Sequence, residues 1–114
     1  MSLVLCTGSD PELLETRRKA LEKAGHTVLL ARNKRELQDA CTHNKIEIAV
    51  LGSHMSENMK RNVADLLREH CPGSKLIELV DDPQGRAIED ADSWASSLGD
   101  LEINNRISEL RRAS

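Results

Sequence analysis

The chain has 114 residues, a length that suits one domain with one buried core. Its 16 Lys and Arg against 19 Asp and Glu give a formal net charge of −3, with the two signs interleaved along the chain. A surface that binds nucleic acid or an anionic membrane needs clustered positive charge, so we expect neither kind of partner. No apolar run reaches the length of a membrane span and no charged, then apolar leader opens the chain, so we predict one cytoplasmic domain over 1–114.

The cysteines and the aromatic content constrain the core. Cys6, Cys41 and Cys71 are odd in number and widely spaced, a pattern that favours reduced thiols over a disulfide framework. Trp94 is the only aromatic residue, so the core must be almost wholly aliphatic.

Short apolar runs alternate with amphipathic stretches along the chain. Four of these runs predict strands, and they are nearly continuous in apolar character, which is typical of a parallel sheet covered on both faces. The four runs are 3–6, 27–31, 46–51 and 76–80. A fifth, short strand is expected around Trp94 and Ala95.

The helices between these strands have recognisable ends. Asp10, followed by a proline, predicts the N-cap of a first helix that Gly25 ends. Asn33 and Glu36 resemble a capping box for a second helix, and Ser56 is a candidate cap for a third. The third helix is expected to bury one stripe of residues: Met59, Val63, Leu66, Leu67 and His70. A last helix from about residue 100 is expected to bury Ile103, Ile107 and Leu110.

Alternating strands and helices with short links predict a doubly wound α/β fold with helices on both faces of a parallel sheet. The sequence of these strands and helices resembles that of a response-regulator receiver domain, the phospho-acceptor module of two-component signalling. The resemblance covers essentially the whole chain, through "LVLCTGSDPELLETRRKALEKAGHTVLLARNKRELQDA", "IEIAVLGSHMS", "LLREHCPGSKLIELV" and "ADSWASS". It implies a flavodoxin-like, five-stranded sheet in the order 2-1-3-4-5. The interval from Val80 to Trp94 is shorter than receivers usually have, so a shortened fourth helix is expected.

The chemistry of receivers depends on five positions at the C-terminal ends of the strands. An acidic pair holds a divalent cation, an aspartate accepts the phosphoryl group, and a hydroxyl residue and a lysine contact that group. The resemblance places these roles on Gly8, Ser9, Gly52, Val80 and Ser97. None of the five keeps the required side chain, so we predict a pseudo-receiver that is not phosphorylated, is not an enzyme and uses no metal or cofactor.

Three further residues are candidate contact residues. Trp94 aligns with the aromatic that changes rotamer in receivers, and it either contacts a partner or fills the gap left by the short helix. Glu78 interrupts an apolar strand and shares one face with Leu76 and Val80. We expect the shortened helix to leave part of this face open, with Glu78 either hydrated or paired, because an unpaired buried carboxylate is costly. Arg106, on the last helix, is the third candidate.

Other polar residues give weaker signals. The pair Asp81-Asp82 before Pro83 is typical of a turn, with cation binding as the alternative. The four histidines are scattered and none has a second ligand at close spacing, so no metal site is predicted.

The favoured function is a signalling module in a two-component or related phosphorelay pathway that acts through protein–protein contacts, either as a homodimer or docked to a signalling partner. A first alternative is a small-ligand sensor that uses the crevice left by small side chains at the switch point of the sheet. Those side chains belong to Gly8, Ser9, Gly52, Ser53 and Ser97. A second alternative, a receiver phosphorylated on an unusual acceptor, is disfavoured because the cation site and the lysine are lost together.

Overall fold

The described residues, 3–97 and 99–113, form an open parallel sheet with helices on both faces in this computed structural model. The strands are β1 (Leu3–Thr7), β2 (Thr27–Ala31), β3 (Ile48–Leu51), β4 (Lys75–Val80) and β5 (Ser93–Ser96). The α-helices are α1 (Pro11–Lys23), α2 (Lys34–His43), α3 (Glu57–His70) and α4 (Asp100–Ala113). All neighbouring strands are parallel, in the order β2-β1-β3-β4-β5, so the predicted fold class and strand order are confirmed.

The predicted helix ends are confirmed by their hydrogen bonds. Asp10 accepts from two backbone N–H groups in the first turn of α1, at 3.0 and 3.4 Å, and Gly25 follows α1 with a φ of 99°. Asn33 accepts the N–H of Glu36 at 2.9 Å, while the Glu36 carboxylate reaches back to the N–H just before the cap, at 2.8 Å. Ser56 accepts from the first turn of α3 at 3.2 Å. These local signals therefore specify where the helices begin.

Two aliphatic cores lie on opposite faces of the sheet. On one face α1 and α4 cover inward residues of all five strands, and Leu14, Leu21, Ile103 and Ile107 are almost fully buried there. On the other face α2 and α3 bury Leu37, Ala40, Ala64 and Leu67. None of the helices that the structure describes is long and apolar enough to cross a lipid bilayer.

The buried stripe of α3 differs from the predicted one. Lys60, Ala64 and Leu67 are its buried residues, whereas Met59 is 47% exposed. The helix is therefore rotated so that a lysine, not a methionine, faces the sheet. The reason is a buried carboxylate on β4, described below.

The connection between β4 and β5 has no α-helix. Pro83–Gly85 form a single 3-10 turn, which confirms the predicted shortening of the fourth helix. The expected open face is wrong, because Ala87 and Ile88 fold back onto the α2–α3 side of the sheet with only 6% and 4% of their surface exposed.

The cysteines are paired differently from the prediction. Cys41 in α2 and Cys71 at the end of α3 form a disulfide, with their Cα atoms 5.4 Å apart. The prediction of three reduced thiols is wrong for this pair, because the last turns of α2 and α3 bring the two residues within bonding range. Cys6 is the free cysteine, and burial raises the pKa of its thiol to about 12. The cytoplasmic location stays a prediction, and disulfides are uncommon in reducing compartments.

Candidate functional site

The five predicted positions all lie at the C-terminal edge of the sheet. Gly8 and Ser9 follow β1, Gly52 follows β3, Val80 ends β4 and Ser97 follows β5. The N–H of Ser97 donates to the carbonyl of Val80 at 2.9 Å, which continues the sheet by one bond. Because the ends of parallel strands meet at one edge, the structure brings these positions together as the resemblance implies.

Gly52 does not border an empty pocket. Its N–H donates to the carbonyl of Thr7 at 2.9 Å, and a Cβ added at Gly52 would lie only 2.8 Å from that same oxygen. The buried guanidinium of Arg17, from α1, lies 3.5 Å from the same Cβ position. Backbone and neighbouring side chains therefore crowd the Cβ position of Gly52, the residue that the resemblance assigns to the acceptor.

Ser9, one of the two residues that the resemblance assigns to the acidic pair, also makes an internal contact. The Ser9 hydroxyl donates to the carbonyl of His54 at 2.8 Å and so joins the loop after β1 to the loop after β3. Across the described part of the chain, no group of three or more His, Cys, Asp or Glu side chains is placed to hold a metal ion. A neutral hydroxyl is a poor substitute for the carboxylates that hard cations prefer.

A carboxylate does lie at this edge, after β4 rather than after β3. Asp81 accepts a hydrogen bond from the Ser97 hydroxyl, which holds the pKa of the Asp81 carboxyl below its usual range, with the charge of Lys60 adding to the effect. Asp82 instead accepts the N–H of Gln84 at 3.0 Å and caps the 3-10 turn. The turn interpretation is therefore confirmed for Asp82, whereas Asp81 belongs to the candidate site.

A buried clasp, formed by Lys60, Glu78 and the backbone of Ala87 and Ile88, holds the β4–β5 connection on the sheet. The Lys60 ammonium lies 3.1 Å from the Glu78 carboxylate and also donates to the carbonyl of Leu79 at 2.9 Å. The carboxylate accepts the N–H of Ala87 at 2.7 Å and the N–H of Ile88 at 3.1 Å. Glu78 has no exposed surface and Lys60 is only 4% exposed.

The clasp decides between the two states expected for Glu78. The carboxylate is paired and not hydrated, and four donor–acceptor contacts compensate the burial of the two charges. Because Glu78 is inaccessible, it is not part of a surface that a partner could touch. Sequence reasoning missed Lys60, although its spacing to Ala64 and Leu67 matches one helical stripe.

Trp94 lies on the edge strand β5, paired in register with Glu78 on β4. Its ring is half-buried, and the guanidinium of Arg86 lies 5.6 Å from the ring centroid, within cation–π range. Arg106 donates to the carbonyl of Trp94 at 3.1 Å and pairs with Glu109 at 3.1 Å, so it anchors α4 to β5. Trp94 therefore contacts the β4–β5 connection through Arg86 and still presents some surface.

An apolar opening lies between α2 and α3, next to the loop that follows β1. This α2–α3 groove encloses about 310 Å³. Its apolar lining includes Leu37, Met55, Met59, Val63 and Leu66, and Gly8 and Ser9 line it as well. Gly52, Ser53 and Ser97 do not line it, so only part of the predicted crevice corresponds to open space.

Comparison with known proteins supports the fold. No protein family and no curated protein sequence matches the chain. Among solved structures, it is similar to the response regulator TrrA of Thermotoga maritima in complex with Mg²⁺-BeF, with 20% identity, a TM-score of 0.79, and coverage of 96% of this chain and 99% of that one. It is also similar to TrrA bound to the histidine kinase ThkA, with 20% identity, a TM-score of 0.78, and coverage of 96% and 98%.

A third similar structure is the signal receiver domain of an HD domain-containing protein from Pseudomonas fluorescens. Here the identity is 15% and the TM-score 0.81, over 98% of this chain and 95% of that one. The chain therefore has the flavodoxin-like receiver fold of two-component response regulators. At these identities the likeness establishes the fold, and the chemistry of the site has to be argued from this chain's own residues.

Proposed function

We propose that the chain is a receiver-like signalling module that is not phosphorylated, has no catalytic activity of its own and acts through protein–protein contacts. The observation that carries this proposal is the closed acceptor position. A side chain at Gly52 would meet the carbonyl oxygen of Thr7 at 2.8 Å, so the site lacks both the nucleophile and the room for one. The Ser9 and Ser97 hydroxyls stand where a cation ligand and a lysine would be needed.

The contacts of similar proteins support a docking role. A receiver of this fold, TrrA, is known in complex with the histidine kinase ThkA. In the present chain the edge strand β5 carries the single aromatic residue, Trp94, whose ring is partly exposed and lies 5.6 Å from the guanidinium of Arg86. Tryptophan and arginine are the residue types that most often dominate the binding energy of interfaces. We therefore place the contact surface at β5, with a second copy of this chain or a signalling protein as the partner.

The phosphorylation part of the proposal is tested by adding acetyl phosphate, or beryllofluoride with Mg²⁺, to the ¹⁵N-labelled protein. We expect no change in the amide spectrum. TrrA, whose complex with Mg²⁺-BeF is known, serves as the positive control under the same conditions. Acid-labile phosphate on any aspartate would overturn this part, and loss of that label in Asp81→Asn would identify Asp81 as an unusual acceptor.

The contact part is tested by sedimentation velocity over a range of protein concentrations. If the chain self-associates through β5, Trp94→Leu weakens the association roughly tenfold or more, as for a central interface residue. Lys19→Ala, on the exposed side of α1, is the control and is expected to leave association unchanged. Equal effects of the two changes would place the contact elsewhere on the molecule.

A further inference from the structure

The α2–α3 groove has a composition unlike the rest of the surface. Its walls combine a buried leucine, Leu37, with the partly buried Val63 and Leu66 and with two methionines. Met59 is one of two large apolar side chains that stay strongly exposed in the described part of the chain, and it lies in this groove. Methionine adapts its shape readily, so Met55 and Met59 can close around an apolar chain. The walls therefore suit an aliphatic group.

The rim of the groove has a one-sided charge. Arg32 and Lys34 line it, and none of the described lining residues carries a carboxylate. This is unusual in a chain with a net charge of −3. The Arg32 guanidinium pairs with Glu36, outside the groove, at 3.1 Å. Lys34 begins α2 and makes no salt bridge to a described residue, so its ammonium is available to an anion at the mouth.

We propose that the α2–α3 groove binds a small aliphatic carboxylate, with its hydrocarbon chain between Leu37, Met59 and Leu66 and its carboxylate beside Lys34. The volume of about 310 Å³ is at the lower end of small-molecule sites, which suits one short chain rather than the face of a partner helix. The site goes beyond the proposed contact function, and either can fail without the other because β5 and the groove are separate surfaces.

The test is a titration of the full chain with octanoate, followed by methyl and amide NMR. We expect saturable shifts confined to the groove residues, with a dissociation constant on the order of 1 mM for a ligand of this size. Acetate, which lacks the chain, and octylammonium, which reverses the charge, are expected to give no saturable shifts there.

Two matched pairs of variants locate the site. Lys34→Glu is expected to weaken octanoate binding about fivefold, while Lys19→Glu, the same change on α1, leaves it unchanged. Met59→Asp is expected to abolish saturable binding, while Leu101→Asp, at the other strongly exposed apolar side chain, does not. Met59 and Leu101 are 47% and 75% exposed, so both proteins should remain folded.

Three results would overturn the proposal. The first is the absence of saturable shifts up to the concentration at which octanoate aggregates. The second is that octylammonium causes the same saturable shifts as octanoate, which would mean that the groove binds the hydrocarbon chain regardless of the charge of the head group. The third is a shift of the groove signals with protein concentration in the absence of octanoate, which would assign the groove to contacts between copies of this chain.

Discussion

Replacing Lys60 with methionine tests the view that the buried clasp holds the β4–β5 connection in place. The substitution keeps a flexible apolar side chain of four heavy atoms, with a sulfur in place of one methylene, and removes the ammonium. That ammonium lies 3.1 Å from the Glu78 carboxylate and 2.9 Å from the carbonyl of Leu79. Glu78 would keep its two backbone donors but would become a buried charge without a counter-charge.

The expected cost follows from burial. The two side chains are 5% and 0% exposed, so water screens them little. Removing one partner of such a buried pair lowers the free energy of unfolding by about 3–5 kcal/mol, because the other charge stays buried without a counter-charge. For a chain of this size, that loss corresponds to a fall in Tm of roughly 10–20 °C. A net stability of about 5–15 kcal/mol is typical of small domains, so the variant should still fold at room temperature.

The assay is urea unfolding of the wild type and Lys60→Met, with Arg61→Met as the control on the next residue of α3. Arg61 pairs with Glu57 at 3.4 Å, but both side chains are more than half exposed, so its removal should cost at most about 1 kcal/mol. Glu78→Gln and the double variant complete a cycle, in which we expect a coupling of about 1–3 kcal/mol.

Hydrogen exchange links this energy to the structure. In Glu78→Gln the amides of Ala87 and Ile88 lose one acceptor oxygen, so they should exchange faster than in the wild type while amides of β1 do not. Equal costs for Lys60→Met and Arg61→Met, together with unchanged exchange at these two amides, would refute the clasp as the element that holds the connection.

Three further predictions concern the titration of Asp81, the reactivity of the thiols and the reduction of the disulfide. In Ser97→Ala, the pKa of the Asp81 carboxyl should rise toward its ordinary range, as measured by NMR titration. Since the wild-type pKa is lowered, the stabilisation from this bond is present above that ordinary range and is lost as pH falls through the lowered pKa. A thiol reagent, added without reductant, should find no reactive thiol in the native protein, because Cys6 is buried. It should find one reactive thiol in the unfolded protein. Three reactive thiols in the native protein would contradict the disulfide between α2 and α3. Reducing that disulfide, which spans 30 residues, should lower the stability by about 3–4 kcal/mol.

The parts of the fold that depend on local chemistry could be predicted from the sequence. Continuous apolar runs specify buried parallel strands, and short polar side chains such as Asp10 and Asn33 specify where helices begin. Both signals lie within a few residues of the structure they determine. Strand order followed from the resemblance and is confirmed by the pairing of the sheet.

The contacts that long-range packing creates could not be predicted in the same way. A lysine on a helix is normally placed facing water, so the inward position of Lys60 depends on a carboxylate 18 residues away on another strand. Likewise, Cys41 and Cys71 come together only because α2 and α3 pack side by side. A crevice was expected at Gly8, Ser9, Gly52, Ser53 and Ser97 because their side chains are small, whereas the space beside a small residue depends on its neighbours. Only Gly8 and Ser9 line the α2–α3 groove.

Restoring an aspartate at Gly52 should therefore fail to restore phosphorylation. Gly52 has no left-handed backbone, so the obstacle is space: a Cβ would lie 2.8 Å from the carbonyl oxygen of Thr7, which the Gly52 N–H already contacts at 2.9 Å. To admit the side chain, β1 and β3 must separate at their ends, at a cost of about 1–3 kcal/mol.

Gly73→Asp is the matched control, because no atom lies within 4 Å of a Cβ there. We expect G52D to be less stable than G73D in urea and to take no label from acetyl phosphate, since no carboxylate follows β1 at Gly8 or Ser9 to hold a cation. Equal stability of the two variants, or acid-labile phosphate on G52D, would show that position 52 has room for a side chain. The absence of phosphorylation would then depend on a single substitution and not on the structure of this edge of the sheet.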